Sequence, residues 1–502
     1  MRGFISRWFG YRRTRVHEIA PEDIFLDSSN LPDHEASQFE GRVVRGVERR
    51  VIRAVGVFFL LVLSGFIARA YALQIHNGAT YADISRNNAL TEHLVFANRG
   101  IIYDRIGREL AWNVSNTNNT STSTSYALRQ YADMSGLSHI LGYLQYPKQD
   151  TRGTWWRKQY TGIAGVERSF DGILQGKNGA TMMETNVHGS IVRENIVSRA
   201  QNGEDLTLSI DASVQSQLYR VLSAHAVRNH FTGGAAVIMD VRTGEILALT
   251  SFPEYDNQAF TDGDRSIVGA QSNDSRTPLI DRAVSGLYTP GSIVKPIFAI
   301  AALNEKIISP DKQIHSIGAI TLPNHYDPSK PSVFRDWRVH GWVDMRTALA
   351  VSSDEYFYTI GGGYGAQEGL GIARLDQYAT RFGLSSKTGI SLVGEEQGNI
   401  PTPAWKARVF GEDDPWRIGN TYHTAIGQYG FLVTPIQAVR FTAAIANGGQ
   451  LLVPHIVAST TAEKTSVAIP DEYLAIAREG MRMAVTSQRD DATVKSLNMS
   501  DL

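Results

Sequence analysis

The longest stretch of the chain without a charged residue lies near its amino terminus. Residues 54–68 read AVGVFFLLVLSGFIA, fifteen uncharged residues between Arg53 and Arg69. A helix needs roughly 20 residues to cross the core of a bilayer, but arginine side chains extend toward the interfaces, so the span can run from 51 to 75. A buried core helix is disfavoured because the run is apolar on every side rather than along one stripe. The pattern therefore predicts a single transmembrane anchor.

The charges around this span predict its orientation. Basic residues are retained on the cytoplasmic side of a membrane. We therefore expect residues 1–50 to form a polar cytoplasmic tail at the inner (cytoplasmic) membrane, and the chain beyond about residue 76 to lie outside the cytoplasm. Five arginines lie at or before the start of the span and one lies near its far end: Arg42, Arg45, Arg49, Arg50 and Arg53 against Arg69.

Short alternating runs beyond the span predict strands. Residues 99–111 (RGIIYDRIGRELA) place apolar runs on both sides of an Asp-Arg-Ile-Gly turn, which predicts a hairpin. Residues 235–253 predict two strands joined at Arg242-Thr-Gly. The tract from Ser115 to Ser125 is low in complexity and is compatible with either an edge strand or a loop.

Helical patterns follow these strands. Residues 294–304 form an apolar block and residues 471–485 have helical spacing. Because the composition shifts near residue 205, we divide the exported chain into a first region, 76–205, and a second, 206–502. The order of elements predicts an α+β fold in which a sheet is flanked by helices.

Composition narrows the function. The 502 residues are 42% hydrophobic and 20% charged, as in ordinary globular proteins. The 49 basic and 50 acidic residues leave a net charge of −1, so no nucleic acid partner is expected. The chain has no cysteine, which excludes a disulfide framework and a thiolate zinc ligand.

The strongest candidate chemistry lies at Ser292-Ile-Val-Lys295, directly before the apolar block. Residues three apart lie on the same face of a helix. A serine hydroxyl is a weak nucleophile until a base removes its proton, and a desolvated lysine whose pKa is lowered can be that base. The same spacing recurs at Ser309-Pro-Asp-Lys312, where Pro310 follows the serine. There we expect a helix cap, with Ser309 as the N-cap.

A second candidate motif, Ser352-Ser-Asp354, lies sixty residues after Ser292 and directly after an apolar run. Ser-x-Asp alone is common, since Ser209 and Ser272 begin the same pattern, and a cap or a turn is the ordinary explanation for Ser352. The order and spacing after Ser292 favour a catalytic role.

Together the two motifs resemble a known family. TPGSIVKP (289–296) followed by SSDEYFY (352–358) is similar to the first two signatures of the penicillin-binding transpeptidases. The resemblance extends over most of the exported chain and is closest to the class B members, and within them to penicillin-binding protein 2. Four further stretches carry it: RGIIYDRIGRELA, GIAGVERSFDGILQGKNG (162–179), GEDLTLSIDASVQ (203–215) and AIGQYGFLVTPIQA (425–438).

The resemblance implies an architecture and a set of roles. The first exported region would be an elongated, mostly β pedestal of the penicillin-binding protein dimerisation type, and the second a transpeptidase domain with an antiparallel sheet. Ser292 would be the acylated nucleophile and Lys295 its general base. Ser352 would relay a proton, and Asp354 would hydrogen-bond near Lys295. The reaction would cross-link peptidoglycan stem peptides ending in D-Ala-D-Ala during elongation, and β-lactams would acylate the same serine.

The resemblance also implies what the site lacks and what it contacts. No cofactor and no metal are expected. Some relatives hold zinc beside the catalytic centre, in the region where this chain has Asp336 and His340, but without cysteine a solvent-facing or hydrogen-bonded histidine is the favoured interpretation. The implied partners are the membrane, the stem peptides, β-lactams and a polytopic glycan polymerase.

The sequence departs from the family pattern at the third signature, which is Lys-Thr-Gly on a strand. Lys387-Thr-Gly389 matches the letters, but its context, FGLSSKTGISLVGEE, resembles a family loop rather than the active-site strand. The strand would begin near Leu502, so the transpeptidase domain is expected to be incomplete and to acylate poorly. A septal transpeptidase, a penicillin-binding sensor and a non-catalytic scaffold remain alternatives.

The predicted orientation has a direct test. In sealed, right-side-out vesicles, added protease should cut the chain beyond residue 80 and leave residues 1–50 protected, because the arginines before the span are retained inside. Immunoblotting against tags at the two ends reports the fragments, and detergent-opened vesicles provide the control. Loss of the amino-terminal tag alone would mean the opposite orientation.

Overall fold

The computed structural model describes residues 48–82, 90–116, 126–185, 191–324, 327–458, 461 and 463–498. The predicted cytoplasmic tail and most of the low-complexity tract therefore lie outside the described residues. The chain divides into two units, residues 1–88 and 89–502, which are described separately.

The first unit contains the predicted span. Helix α1 (Arg49–Tyr71) continues through a π-helical turn (Ala72–His76), which makes 28 residues long and apolar enough to cross a membrane. None of its side chains is buried. An apolar helix with no buried face is not packed as a core helix, and it has the surface that lipid requires.

Small sheets dominate the amino-terminal part of the second unit. One sheet has the order β1-β9-β10 and another the order β11-β2-β3-β4. The predicted hairpin is confirmed, because β2 and β3 pair antiparallel around a turn in which Asp104 Oδ1 accepts from Ile106 N and Arg108 N at 3.0 and 2.8 Å. The strands are β1 (Leu90–Val95), β2 (Ile102–Tyr103), β3 (Glu109–Val114), β4 (Leu128–Tyr131), β5 (Leu144–Gln145), β6 (Lys148–Gln149), β7 (Trp155–Arg157), β8 (Thr161–Gly162), β9 (Gly179–Thr185), β10 (Ile191–Ser198) and β11 (Leu206–Thr207). The helices are α2 (Ser138–Leu141), α3 (Gly165–Ser169) and α4 (Asp171–Leu174).

The carboxy-terminal part carries the two strands predicted at 235–253. They are β12 (Gly234–Met239) and β13 (Ile246–Phe252), paired antiparallel. Helix α5 (Ala212–Arg228) contacts both strands and α14 (Pro435–Ala446) contacts β12, so the expected sheet flanked by helices is confirmed. The remaining helices are α6 (Asn257–Asp262), α7 (Arg265–Ser272), α8 (Lys295–Asn304), α9 (Met345–Ala350), α10 (Asp354–Gly362), α11 (Gly371–Arg381), α12 (Pro403–Phe410), α13 (Ile418–Ala425) and α15 (Asp471–Thr486). The remaining strands are β14 (Ile314–Ser316), β15 (Ala319–Leu322), β16 (Ser332–Arg335), β17 (Gly341–Val343), β18 (Gln450–Leu452) and β19 (Lys464–Ser466).

Two hydrophobic cores hold this unit together. One is built around α8, whose residues are buried from Lys295 to Leu303. The other joins regions 76–205 and 206–502, because Ile102 and Leu110 share it with Ile246 and Leu452. The parallel pairing of β11 with β2 runs across the same junction. The predicted boundary at residue 205 is therefore not a break in packing.

A buried ion cluster ties the pedestal strands together. Glu167 on α3 accepts from Arg99 Nε at 2.5 Å and from Arg129 Nε at 2.8 Å, and all three side chains are fully buried. Burial works to raise the pKa of Glu167, but the positive charges of Arg129 and Arg99 outweigh it and hold that pKa below its ordinary value. The carboxylate is therefore ionised and balances two buried cations.

Replacing this carboxylate should destabilise the pedestal strongly. Glu167→Gln keeps the shape but leaves Arg129 without its carboxylate and Arg99 with Asp171 as its remaining carboxylate partner. Breaking a buried pair typically costs about 3–5 kcal/mol. Asp274→Asn is the matched control, because Asp274 pairs with the half-exposed Arg276 and such surface pairs contribute about 0–1 kcal/mol. Denaturant unfolding of the exported unit measures both, and equal losses would contradict the assignment.

Candidate active site

Ser292 lies on a short turn that the fold holds from behind. A 3₁₀ turn (Gly291–Val294) leads directly into α8, and Ser292 is exposed on it. Gly291 has φ +58° and its N–H donates to Gly427 O at 3.0 Å. A Cβ on Gly427 would lie 2.3 Å from Gly291 O, so only glycine permits this approach. The turn is thus fixed, while the Ser292 hydroxyl makes no hydrogen bond to any described residue.

Lys295 is the first residue of α8 and is buried. Its Nζ donates to Ser352 O at 2.7 Å, to Ser352 Oγ at 3.1 Å and to Asp354 Oδ1 at 2.6 Å. An ammonium has three donors, so all of them are satisfied. The Phe357 ring, 5.4 Å from Nζ, adds a cation–π contact. The structure thus brings three of the four predicted site residues into direct contact, with Ser292 three residues before Lys295.

The segment between α9 and α10 supplies the partners of Lys295. Ser352 has φ +55°, a left-handed conformation that costs a residue with a Cβ about 1–2 kcal/mol. Its neighbour Ser353, not Ser352, is the N-cap of α10 and accepts from Tyr356 N at 3.3 Å. The cap interpretation of Ser352 is therefore wrong, and the strained turn directs both of its oxygens to Lys295.

Burial determines the electrostatics of the Lys295–Asp354 pair. Burial lowers the pKa of Lys295, although the charges of Asp354 and Asp336 work to raise it. Burial also raises the pKa of Asp354, against the opposing effect of Lys295. Both shifts favour the uncharged forms, so moving a proton from Nζ to Oδ1 would cost less free energy here than in water.

Asp336 and His340 adjoin this segment. Both side chains are buried, and His340 Nδ1 is 2.7 Å from Asp491 Oδ2. The hydrogen-bonded interpretation of His340 is therefore confirmed, and the solvent-facing alternative is wrong. Its buried Nε2 has no hydrogen-bond partner among the described residues and lies 3.4 Å from Asp336 Oδ1.

The same pocket does not fit a zinc ion. Structural zinc takes four ligands, whereas here His340 Nε2 and Asp336 Oδ1 are the two facing atoms. Asp336 is already occupied, because Oδ1 accepts from Trp337 N and Oδ2 from Ser353 Oγ and Glu355 N. Within the described ranges, no group of three or more His, Cys, Asp or Glu could hold a metal ion.

The two other motifs with family-like spacing, Ser309-Pro-Asp-Lys312 and Lys387-Thr-Gly389, lie outside this site. Ser309 is exposed and begins a turn in which Lys312 N donates to Ser309 O at 3.2 Å. The predicted N-cap is wrong, because the chain after Pro310 turns into β14 and no helix follows. Lys387 is exposed on an irregular segment, in which Thr388 N and Oγ1 donate to Glu395. That geometry is a loop, as expected for Lys387-Thr-Gly389.

Gly427 and Asp336 also support the site, and the sequence alone does not indicate this role. Gly427 lies in the quoted stretch AIGQYGFLVTPIQA, but nothing in its spacing indicates that it supports the Ser292 turn. The sequence indicates Asp336 only as a possible metal ligand, whereas the hydrogen bonds from Ser353 Oγ and Glu355 N connect it to the segment that carries Ser352. Only the folded chain brings these pairs together.

Comparison with known families agrees with the fold. Residues 234–500 match the penicillin-binding protein transpeptidase domain, and residues 120–208 match the penicillin-binding protein dimerisation domain. Because the first match covers more than half of the chain, the protein belongs to the penicillin-binding protein transpeptidase family.

Its relatives point to one branch of this family. It is 29% identical to peptidoglycan D,D-transpeptidase MrdA of Haemophilus influenzae over 85% of this chain and 74% of that one. It is 31% identical to MrdA of Escherichia coli K12 over 71% of this chain, a match that spans 57% of that relative's length. The chain is most like penicillin-binding protein 2, the elongation-type member.

Solved structures support the same assignment. Penicillin-binding protein 2 from Helicobacter pylori superposes with a TM-score of 0.63 at 25% identity, over 81% of this chain and 87% of that one. A peptidoglycan synthase complex, described as coordinating polymerisation and cross-linking, matches with a TM-score of 0.64 at 26% identity, over 87% and 85%. The expected fold, an α+β transpeptidase domain preceded by a pedestal and an anchor, is confirmed.

Proposed function

We propose that this protein is a serine-type peptidoglycan D,D-transpeptidase of cell-wall elongation, which cross-links stem peptides ending in D-Ala-D-Ala and is acylated by β-lactams. The proposal rests on the buried amine of Lys295, which donates hydrogen bonds to Ser352 and Asp354. Lys295 lies three residues after Ser292, which is exposed. A desolvated lysine beside a hydroxyl is the arrangement that activates a serine nucleophile.

Acylation follows from these contacts. Lys295 gives a proton to Asp354, and its uncharged amine then accepts the proton of Ser292 as Oγ attacks the carbonyl between the two D-alanines. The C–O bond forms, the amide C–N bond breaks, and the terminal D-alanine leaves with a proton relayed through Ser352 Oγ, 3.1 Å from Nζ. Backbone N–H groups at the start of the 3₁₀ turn would stabilise the oxyanion.

Transfer completes the reaction. The amino group of a neighbouring stem peptide attacks the ester carbonyl and loses a proton to the uncharged amine of Lys295. A new amide bond forms, the ester C–O bond breaks, and Ser292 Oγ leaves and takes that proton from Lys295. Water in place of the amine gives a D,D-carboxypeptidase side reaction. A β-lactam undergoes the same attack by Ser292, and the strained lactam C–N bond breaks in place of the peptide bond.

We also propose a location and a partner for this activity. With α1 in the inner membrane and residues 1–50 in the cytoplasm, the catalytic unit lies outside, where peptidoglycan is built. The similarity to a synthase complex that coordinates polymerisation with cross-linking supports a polytopic glycan polymerase as the partner of the anchor and pedestal.

The nucleophile and base can be tested together. Ser292→Ala should abolish covalent labelling by a fluorescent penicillin, because no other group forms the ester. Lys295→Ala should slow labelling by about 10²–10⁴, the usual contribution of a general base. The measurement is the labelling rate in gels. Ser309→Ala and Lys387→Ala are the matched controls and should label at the unsubstituted rate, and loss of labelling in Lys387→Ala would instead assign the third motif to that residue.

The Lys295–Asp354 pair predicts a pH dependence. Asp354 raises the pKa of Lys295 by its charge and its hydrogen bond, so Asp354→Asn should lower that pKa further. Because the uncharged amine is the base, the acidic limb of the acylation rate against pH should move to lower pH. Asp311→Asn, an exposed carboxylate paired with Arg346, should leave the limb in place. A shift to higher pH would exclude Lys295 as the titrating base.

A further inference from the structure

A buried polar cluster beside the catalytic turn has no role in the steps above. Its centre is His340, whose Nε2 has no hydrogen-bond partner in the part of the chain that the structure describes. On one side of the imidazole lies Asp336, and on the other lies Asp491, from a segment 151 residues further along the chain. Buried polar networks are expensive unless their members are satisfied, and they specify a unique arrangement when they are.

Residues 489–493, which we call the C-terminal brace, hold this cluster from outside. Arg489 donates to both oxygens of Asp491, from Nε at 2.9 Å and from Nη2 at 3.0 Å, and Nη2 also donates to His340 O at 2.9 Å. Asp491 in turn bonds His340 Nδ1 at 2.7 Å. Thr493 N and Oγ1 both donate to Ala350 O, at 3.2 and 3.3 Å, at the end of α9.

The other side of the cluster reaches the catalytic turn itself. Asp336 Oδ2 accepts from Ser353 Oγ at 2.8 Å and from Glu355 N at 2.9 Å. These two residues lie on either side of Asp354, and Ser353 directly follows Ser352. The brace therefore contacts the chain before the turn at Ala350 and, through His340 and Asp336, the chain within it.

We propose that Arg489 and Asp491 are positioning residues, which act through His340 and Asp336 to hold Ser352 and Asp354 around Lys295 without a metal ion. This inference rests on the proposed serine mechanism. A residue with a Cβ keeps a left-handed backbone conformation only where the contacts around it hold it there. The brace supplies such contacts for Ser352. Without the brace the turn relaxes, and a displacement of about 1 Å can cost 10² in rate.

The first experiment separates positioning from stability. The first-order acylation rate constant and the labelled fraction are measured with a fluorescent penicillin on the full chain. Arg489→Ala should lower the rate constant about 10-fold to 10²-fold at full labelled fraction. Arg478→Ala is the matched control, because Arg478 likewise bonds one carboxylate (Asp471) and one backbone carbonyl (Ile445), at a similar exposure of 33% against 36%. Its rate constant should be unchanged.

The second experiment tests the contacts of His340 and excludes a metal site. Asparagine carries an amide nitrogen on Cγ, in the place of histidine Nδ1, so it can still bond Asp491, but it has no atom in the place of Nε2, which faces Asp336. Because the brace acts through both contacts, His340→Asn and His340→Ala should both lower the rate constant as Arg489→Ala does. Zinc measured by mass spectrometry should be far below one per chain, and EDTA should leave the rate constant unchanged.

The outcomes are distinguishable. A reduced labelled fraction at an unchanged rate constant in Arg489→Ala means a structural role and overturns the inference. Stoichiometric zinc, with loss of acylation in EDTA, means a metal site and also overturns it. An unchanged rate constant in His340→Asn and His340→Ala overturns the route through His340. No labelling of the unsubstituted chain overturns the proposed function and this inference with it, whereas normal labelling with an unaffected Arg489→Ala overturns the brace alone.

Discussion

A lysine side chain held inside the protein is the constraint on which this active site depends. An unpaired buried charge is costly, so the amine of Lys295 requires an acceptor for each of its three donors. All three acceptors come from Ser352 and Asp354, which are 57 and 59 residues away in sequence. The same burial that makes these partners necessary also lowers the pKa of the amine, as the proposed role of a general base requires. In the proposed mechanism, stability and reactivity therefore depend on the same contacts.

The rest of the catalytic unit fixes the distance between these two segments. Helix α8 is buried along almost its whole length, so Lys295 cannot shift without moving the core. A hydrogen bond to Gly427 O holds the Ser292 turn, and a hydrogen bond to Asp336 Oδ2 holds the turn that carries Ser352. The two-stranded sheet and its flanking helices add a second core, which continues into the pedestal and joins the two exported regions into one packed unit.

Much of this architecture could be predicted because its evidence is local. The uncharged run predicted the anchor, the alternation in residues 235–253 predicted β12 and β13, and the apolar block at 294–304 predicted α8 to within a residue. Each depends on a side-chain period that a few neighbouring positions reveal. The error at Ser309 has the same origin, since a cap requires a helix after it, and the bonds that replace that helix come from elsewhere in the fold.

The sequence by itself determined the family, the anchor, the order of elements and the four candidate site residues, because spacing and residue type carry that information along the chain. Tertiary structure alone decided which of these residues touch. It showed that Ser353, and not Ser352, is the N-cap of α10. It also showed that Asp336 accepts a hydrogen bond from the segment that carries Ser352, and that Asp491 contacts His340, 151 residues away in sequence. Such pairs form because a buried polar atom must find a partner wherever the packed chain supplies one, and no local pattern records which partner that will be.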